Sequence, residues 1–204
     1  SIRRRQRQMC IRDSIWRVSF MSNIRNNWKL EEVLELFNKS FNELLFEAHD
    51  THIQNHKKDM VQVCTLLSIK TGGCPEDCGY CSQSIHSDDP IEATPLMSLE
   101  EVKKQATLAR DQGSTRFCMG AAWRRPSNKN IDRVIKMIDV VHDLGMESCV
   151  TLGMLSEDQA VRLSKSGLNY YNHNLDTSRE YYTKVISTRN YQDRLNTLKY
   201  VRES

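Results

Sequence analysis

A strand, a loop and an amphipathic helix follow one another four times between residues 61 and 204. The predicted strands cover 61–69, 115–119, 146–152 and 168–172, and each is followed by a segment with apolar residues at helical spacing. Consecutive strand–helix units with short connections form right-handed parallel crossovers. The repeat therefore predicts an α/β fold, either a doubly wound sheet or a (β/α) barrel.

Local signals mark the ends of the helices. Capping boxes at 98–101 and 156–159 predict two helix starts, because a serine and a glutamate or glutamine stand three residues apart. Gly113 and Gly167 predict the ends of the same two helices. The last helix is predicted over Tyr191 to Glu203.

The N-terminal part of the chain differs in charge from the rest. Residues 1–25 contain seven arginines and one acidic residue, so the remaining residues sum to −3 although the whole chain carries +3. Such a basic block is typical of a mitochondrial presequence, a disordered arm or non-native sequence, and we favour the last two. Apolar spacing then predicts an amphipathic helix from Leu30 to His49.

Composition disfavours two classes of function. The chain has 204 residues, of which 39% are hydrophobic and 27% charged, as in an ordinary globular protein. A mildly acidic body does not favour nucleic-acid binding, and no apolar run is long enough to predict a membrane span. Seven cysteines at ligand-like spacing indicate a reducing compartment and metal binding rather than a disulfide framework.

The cysteine loop, defined here as Thr71–Ser84, carries the strongest chemical signal. Cys74, Cys78 and Cys81 follow the first predicted strand with the spacing C-x3-C-x2-C. A structural zinc site or an ordinary iron–sulfur cluster takes four protein ligands. Three local thiols therefore leave one metal position open to a small molecule. The alternative is a closed zinc site completed by a distant histidine or cysteine.

Unusual residues also follow the other predicted strands. They are Gly120-Ala-Ala-Trp123, Thr151-Leu-Gly153 and Asn172-His-Asn-Leu-Asp176. In a barrel of parallel strands the active site lies on the loops at the C-terminal ends of the strands. No G-x-G-x-x-G follows the first strand, which disfavours a dinucleotide-binding sheet. We therefore expect a barrel with its site at these strand ends.

The cysteine loop resembles that of radical S-adenosylmethionine (SAM) enzymes, including the aromatic Tyr80 before its last cysteine. Within that superfamily, the stretches 66–78, 113–123 and 170–178 resemble the biotin synthase family. The resemblance implies a TIM-type (β/α) barrel, of which about the first four strand–helix units are present after an N-terminal helix.

The resemblance extends from about Trp28 to Ser204 and excludes the basic tail. We therefore expect residues 1–25 to be a disordered or non-native tail and residues 26–204 to be the N-terminal half of the barrel domain. A third cysteine and an arginine of a second cluster would follow Ser204. On this basis we expect this chain to be a fragment without turnover that exposes strand edges, and the full-length protein to be active.

The resemblance also implies roles for individual residues. The [4Fe–4S] cluster would be held by Cys74, Cys78 and Cys81, and the [2Fe–2S] cluster by Cys118 and Cys149. SAM would contact Tyr80, Gly120, Ala121, Ala122, Asn174, Asp176 and Arg194, and the substrate would contact Asn172 and Asn174. No catalytic residue is implied beyond the cofactors. Without the resemblance, the last two cysteines would be interpreted as buried structural thiols.

The family's activity is radical insertion of sulfur into dethiobiotin. Reductive cleavage of SAM yields methionine and a 5′-deoxyadenosyl radical, and sulfide of the second cluster captures the substrate radical. The resemblance implies an electron donor such as a flavodoxin or ferredoxin, a homodimer at full length, and a location in the bacterial cytoplasm or the eukaryotic mitochondrion. The alternatives are another radical SAM enzyme and a non-catalytic zinc or iron–sulfur module.

Two positions depart from the pattern of the family. Cys64 shares the period-two phase of Lys70 on the first strand, and we expect it to be a core residue rather than an additional thiol near the second cluster. Ser82 stands where the family commonly has proline, and we expect little effect.

Overall fold

The computed structural model describes residues 25, 27–57 and 59–204. The basic stretch 1–24 lies outside the described residues, so the prediction for the tail stays a prediction. The chain forms two compact units, of which the first ends at Val61 and the second comprises Gln62–Ser204. That residues 26–204 belong to one domain likewise stays a prediction.

The first unit contains two helices, α1 (Leu30–Asn38) and α2 (Phe41–Asn55). The prediction of one continuous helix from Leu30 to His49 is therefore wrong. Ser40 is the N-cap of α2, with its side chain accepting from Glu43 N, while the Glu43 carboxylate accepts from Ser40 N over 3.2 Å. This capping box starts a new helix, and the spacing of Ser40 and Glu43 in the sequence already indicates it.

The second unit alternates strands and helices as predicted. The strands are β1 (Cys64–Lys70), β2 (Arg116–Ala121), β3 (Glu147–Thr151) and β4 (Tyr170–Tyr171). The helices are α3 (Leu99–Asp111), α4 (Asn128–Asp143), α5 (Glu157–Lys165), α6 (Tyr182–Val185) and α7 (Tyr191–Glu203). The strands form one parallel sheet in the order β1-β2-β3-β4, which confirms the α/β class and the partial barrel.

The fourth strand is shorter than the sequence indicates. Pairing with β3 covers only Tyr170 and Tyr171, and the last contact is the hydrogen bond of 2.9 Å from Asn172 N to Val150 O. The chain then turns away from the sheet, and Asp176 adopts a φ of 69°. This turn, which the apolar pattern of residues 168–172 did not reveal, brings Asp176 back over the strand ends.

The hydrophobic core lies between the sheet and its helices. Phe117 and Met119 of β2 are fully buried against apolar residues of α3 and α4, and burial of one such side chain stabilises the fold by about 1.5–3 kcal/mol. Cys118 lies between them in sequence and therefore points to the opposite face of the sheet. We call that opposite face, which carries Cys64, Leu66, Cys118 and Cys149, the thiol face. Among the described helices, none is long and apolar enough to cross a membrane.

Candidate active site

The cysteine loop is held by its own hydrogen bonds. Cys74 N donates to Gln83 O over 2.9 Å, and Cys81 N donates to Cys78 O over 3.0 Å. The side-chain Oε1 of Gln83 accepts a further bond of 2.6 Å from Gly72 N. These bonds close the loop, so the fold itself positions the three cysteines.

Lys70, the last residue of β1, connects the cysteine loop with the end of β2. Its Nζ donates to Gly72 O and, over 3.1 Å, to Ala122 O. Its backbone O accepts from Ala122 N over 2.9 Å. The stretch from Gly120 to Ala122, which the sequence predicted to contact SAM, therefore lies directly beside the start of the cysteine loop.

A second anchor ties the cysteine loop to a distant part of the chain. The carboxylate of Asp77 accepts from Ser187 N over 3.0 Å and from Thr188 N over 3.1 Å. Gly79 N donates to Val185 O over 3.0 Å. Hydrogen bonds from the Ser187 hydroxyl and from Thr188 hold the pKa of Asp77 well below its usual range. The carboxylate is therefore ionised at neutral pH and accepts these bonds at full strength.

The three thiols of the loop are half-buried and reduced. Cys74, Cys78 and Cys81 are free cysteines, and burial raises the pKa of Cys74 and of Cys78. In the described part of the chain, no three His, Cys, Asp or Glu side chains are grouped so that they could hold a single metal ion. In a cubane cluster each thiolate binds a different iron atom, so the ligands need not converge on one point.

A buried carboxylate brings the predicted SAM-binding residues together. Asp176, whose side chain is 1% exposed, forms an ion pair of 2.8 Å with Arg194 and accepts a hydrogen bond of 2.5 Å from Tyr80 Oη. Burial by itself would raise the pKa of Asp176, but the bonds from Tyr80 and the neighbouring arginines outweigh it and lower the pKa. Tyr80, Asp176 and Arg194 thus form one network beside the cysteine loop.

Arg189 belongs to this network, although sequence reasoning missed it. Its side chain is 2% exposed, and Nη2 donates to Cys78 Sγ over 3.2 Å and to Asp176 Oδ2 over 3.1 Å. Nη1 lies 2.8 Å from Glu76 Oε2, and Nε donates to Tyr182 Oη over 3.0 Å. No motif in the sequence marks this arginine, because its partners come from segments far apart in the chain.

The two asparagines predicted to contact the substrate flank a buried histidine. Asn172 and Asn174 are exposed, so their amides are accessible to a ligand, whereas His173 is 8% exposed. Burial, followed by the positive charge of Arg194, lowers the pKa of His173 to about 4. His173 is therefore neutral at physiological pH, with Arg194 Nη1 3.2 Å from both ring nitrogens.

Three further thiols lie close together on the thiol face. Cys118 of β2 is directly opposite Cys149 of β3, and Cys64 Sγ of β1 is 3.2 Å from Cys118 Sγ. Burial raises the pKa of all three, and that of Cys64 reaches about 11. The expectation that Cys64 is a core residue is wrong, because it is exposed on a face that the helices do not cover.

The comparisons with known proteins agree with this geometry. The family model described as the Radical SAM superfamily matches residues 68–204. The chain belongs to the radical SAM superfamily. A solved structure of the FeFe-hydrogenase maturase HydG from Carboxydothermus hydrogenoformans has the same fold, with a TM-score of 0.70 and 19% identity over 99% of this chain and 48% of that one.

Two curated relatives of this radical SAM chain are named biotin synthase. The protein from Thioalkalivibrio sulfidiphilus is 57% identical over 184 residues, which are 90% of this chain and 54% of the relative. The protein from Erythrobacter litoralis is 55% identical over 184 residues, again 90% of this chain and 54% of the relative. The chain thus spans about half the length of the curated relatives it matches.

Membership of the radical SAM superfamily implies a [4Fe–4S] cluster and SAM, and the cysteine loop fits that cluster. Its three free thiols lie on one closed loop, and their arrangement does not suit a single ion. Thiolates are the protein ligands of iron–sulfur clusters. The network of Tyr80, Asp176 and Arg194 next to this loop offers an aromatic ring, a carboxylate and a guanidinium, which suit a nucleoside that carries an amino acid.

Proposed function

We propose that this protein acts as a biotin synthase, which inserts sulfur into dethiobiotin. The observation that carries the proposal is the pair Cys118 and Cys149, held opposite each other by the register of β2 and β3. They lie on the thiol face, on the same strands whose C-terminal ends lead to the SAM site. Two thiols fixed in this way are suited to supply two of the four ligands of a [2Fe–2S] cluster, which is the expected sulfur source.

The cofactors supply the radical chemistry, and the residues of this chain bind and orient the cofactors and the substrate. The cysteine loop holds the [4Fe–4S] cluster through Cys74, Cys78 and Cys81. When bound, the cluster and SAM together supply a radical that takes hydrogen from a substrate carbon. Tyr80 would lie beside the adenine, and Arg194 would pair with the carboxylate of the cofactor.

The two exposed asparagines suit the substrate that we propose. A ureido ring presents N–H donors and a carbonyl acceptor, and the side-chain amides of Asn172 and Asn174 offer the complementary acceptors and donors. Asp176, which accepts hydrogen bonds from Tyr80 and Arg194, would accept from the hydroxyls of the SAM ribose. His173 stays uncharged and does not compete with Arg194 for the carboxylate.

Transfer of deuterium tests the substrate directly. The full-length protein that contains this chain is reconstituted anaerobically with iron and sulfide and incubated with SAM, dithionite and dethiobiotin deuterated at the carbons that accept sulfur. We expect deuterium in the 5′-deoxyadenosine, measured by mass spectrometry, and at least a tenfold loss in Asn174→Ala. Asn196→Ala, on helix α7, where the side chain accepts a hydrogen bond of 3.0 Å from Gln192, serves as the matched control and should retain the transfer.

Two outcomes would overturn the proposal. Cleavage of SAM without deuterium transfer from dethiobiotin would identify another radical SAM enzyme. One equivalent of zinc, with no cleavage of SAM, would identify a non-catalytic metal-binding module.

The second cluster is tested by its own spectrum. In the full-length protein, Cys118→Ser and Cys149→Ser should each remove the absorption of the [2Fe–2S] cluster and leave that of the [4Fe–4S] cluster. Cys74→Ser should have the opposite effect. If all three variants lost the same cluster, the assignment of two separate sites would be wrong.

The remaining parts of the proposal concern partners and location. We propose reduction by a flavodoxin or ferredoxin, assembly as a homodimer at full length, and a location in the bacterial cytoplasm or the eukaryotic mitochondrion. A pull-down with reduced flavodoxin and a measurement of mass in solution test the first two.

A further inference from the structure

The side chain of Arg189 joins Cys78 of the cysteine loop to Asp176, the buried carboxylate of the SAM site. Three nitrogens of its guanidinium contact four partners. One of these partners is Cys78 Sγ, a predicted cluster ligand, which lies 3.2 Å from Arg189 Nη2. The side chain is 2% exposed, so water does not compete for these bonds. A planar fork of five N–H groups can reach several acceptors at once, and a lysine ammonium cannot do so in this geometry.

The charge of Arg189 is offset by its two carboxylate partners. Glu76 and Asp176 lie 2.8 Å and 3.1 Å from it, and their side chains are 4% and 1% exposed. Arg124 pairs with the same Glu76 from the solvent side, at 3.1 Å. These carboxylates balance the full charge of Arg189. The N–H···S bond to Cys78 is therefore its main electrostatic effect on the cluster.

We propose that Arg189 is a positioning residue that sets the reduction potential of the [4Fe–4S] cluster through its hydrogen bond to Cys78. Reduction adds one negative charge to a cluster and its thiolates. A donor aimed at a ligand sulfur stabilises that extra charge, and hydrogen bonds to sulfur are among the factors that set cluster potentials. Removal of the bond therefore makes the cluster harder to reduce.

The same guanidinium gives Arg189 a second role. Nη2 also donates to Asp176, the carboxylate that we place at the ribose of SAM. A movement of Asp176 when SAM binds is therefore transmitted through one side chain to a cluster ligand. This inference rests on the superfamily's cluster alone, so it stands whether or not dethiobiotin is the substrate.

A redox titration of three variants tests the proposal. The reconstituted chain, Arg189→Gln, Arg189→Lys and the control Arg124→Gln are titrated without SAM and followed by the bleaching of the cluster absorption, after iron and sulfide have been quantified. At the potential where the unchanged chain is half reduced, we expect the ratio of reduced to oxidised cluster to be about tenfold lower in Arg189→Gln, which is about 59 mV for a one-electron couple. Arg124→Gln keeps the N–H···S bond and should titrate like the unchanged chain.

Each other outcome decides against the proposal. Equal potentials in Arg189→Gln and the unchanged chain, at equal iron content, would overturn it. A shift of the same size in Arg124→Gln would assign the effect to the charge on Glu76 rather than to the bond. If both Arg189 variants kept their circular dichroism but held no iron, Arg189 would serve only to order the loop, and its role in setting the potential would be refuted.

Discussion

Tyr80 and Asp176 form a hydrogen bond of 2.5 Å although 96 residues separate them. The ring of Tyr80 remains 62% exposed, so one end of the side chain is fixed while its face is open. An aromatic ring held in this way is ready to stack on a nucleobase without further ordering. We propose that the hydroxyl orients the ring and that the ring supplies binding energy for SAM.

We therefore expect Tyr80→Ala and Tyr80→Phe to differ in their affinity for SAM. Stacking of an aromatic side chain on a base contributes about 1–3 kcal/mol, so Tyr80→Ala should weaken binding by about tenfold or more. Tyr80→Phe keeps the ring and should weaken it by less than about threefold. Isothermal titration of the reconstituted chain measures both. Equal losses would show that the hydroxyl, not the ring, is responsible.

Gly72, near the start of the cysteine loop, has no room for a side chain. Its φ is +65°, and an added Cβ would meet the carbonyl oxygens of Ile91 and Glu92, the latter at 2.7 Å. Gly113 also has a positive φ, +94°, but nothing lies within 4 Å of its Cβ position.

Gly72→Ala should therefore reduce the free energy of unfolding by more than about 3 kcal/mol, because it combines backbone strain with a clash against backbone atoms. Gly113→Ala, which adds strain alone, should cost about 1 kcal/mol. Urea unfolding followed by circular dichroism measures both values. If the two variants were equally stable, the close approach to Ile91 and Glu92 would be without consequence.

At the scale of elements, the turn after β4 buries His173 and thereby keeps it uncharged at neutral pH. The unfolded chain binds a proton at His173 with a pKa near 6.5, whereas burial lowers the folded value to about 4. Between these values the unfolded state holds more protons, so stability rises with pH and falls as the solution is acidified. The charged groups that face His173 are Arg194, Asp176 and Arg189, and the pKa of Asp176 lies below its usual value.

We expect the free energy of unfolding to fall by about 2 kcal/mol between pH 7 and pH 4.5 because of His173 alone. His173→Gln removes the titrating group and should flatten the pH dependence in that range. Urea unfolding at several pH values measures the slope for both proteins. Identical slopes would show that His173 is not responsible.

The same elements show what a sequence can and cannot predict. The bounds of the last helix, Tyr191–Glu203, follow from local periodicity and agree with the structure. The break between α1 and α2 was equally local, and Ser40 marked it. The roles of Arg189 and Cys64 depend on partners more than 50 residues away, so no local pattern could reveal them.

At the scale of the whole molecule, the sheet has two open edges. Within the part of the chain that the structure describes, β1 and β4 each pair on one side only. Unpaired strand edges are templates for pairing with other chains. Leu66 of β1 adds a side chain that is 72% exposed on the thiol face. Both features favour association of one molecule with another.

We therefore expect the isolated chain to self-associate as its concentration rises. Leu66→Lys places a charge on the edge strand and should shift the onset of association to at least about threefold higher concentration. Leu108→Lys, at a residue of α3 that is 52% exposed, is the matched control. Light scattering after size-exclusion chromatography measures the mass. Equal effects of both lysines would attribute association to general hydrophobicity rather than to the edge.

The anchor between Asp77 and Ser187–Thr188 has a consequence for biogenesis. A ribosome synthesises the cysteine motif more than one hundred residues before it adds the segment that holds Asp77 in place, since the partners are 110 and 111 positions apart. While translation proceeds between these points, the motif is part of a nascent chain without its support. Iron delivery by the cell's assembly machinery is therefore expected to follow the emergence of that segment from the exit tunnel.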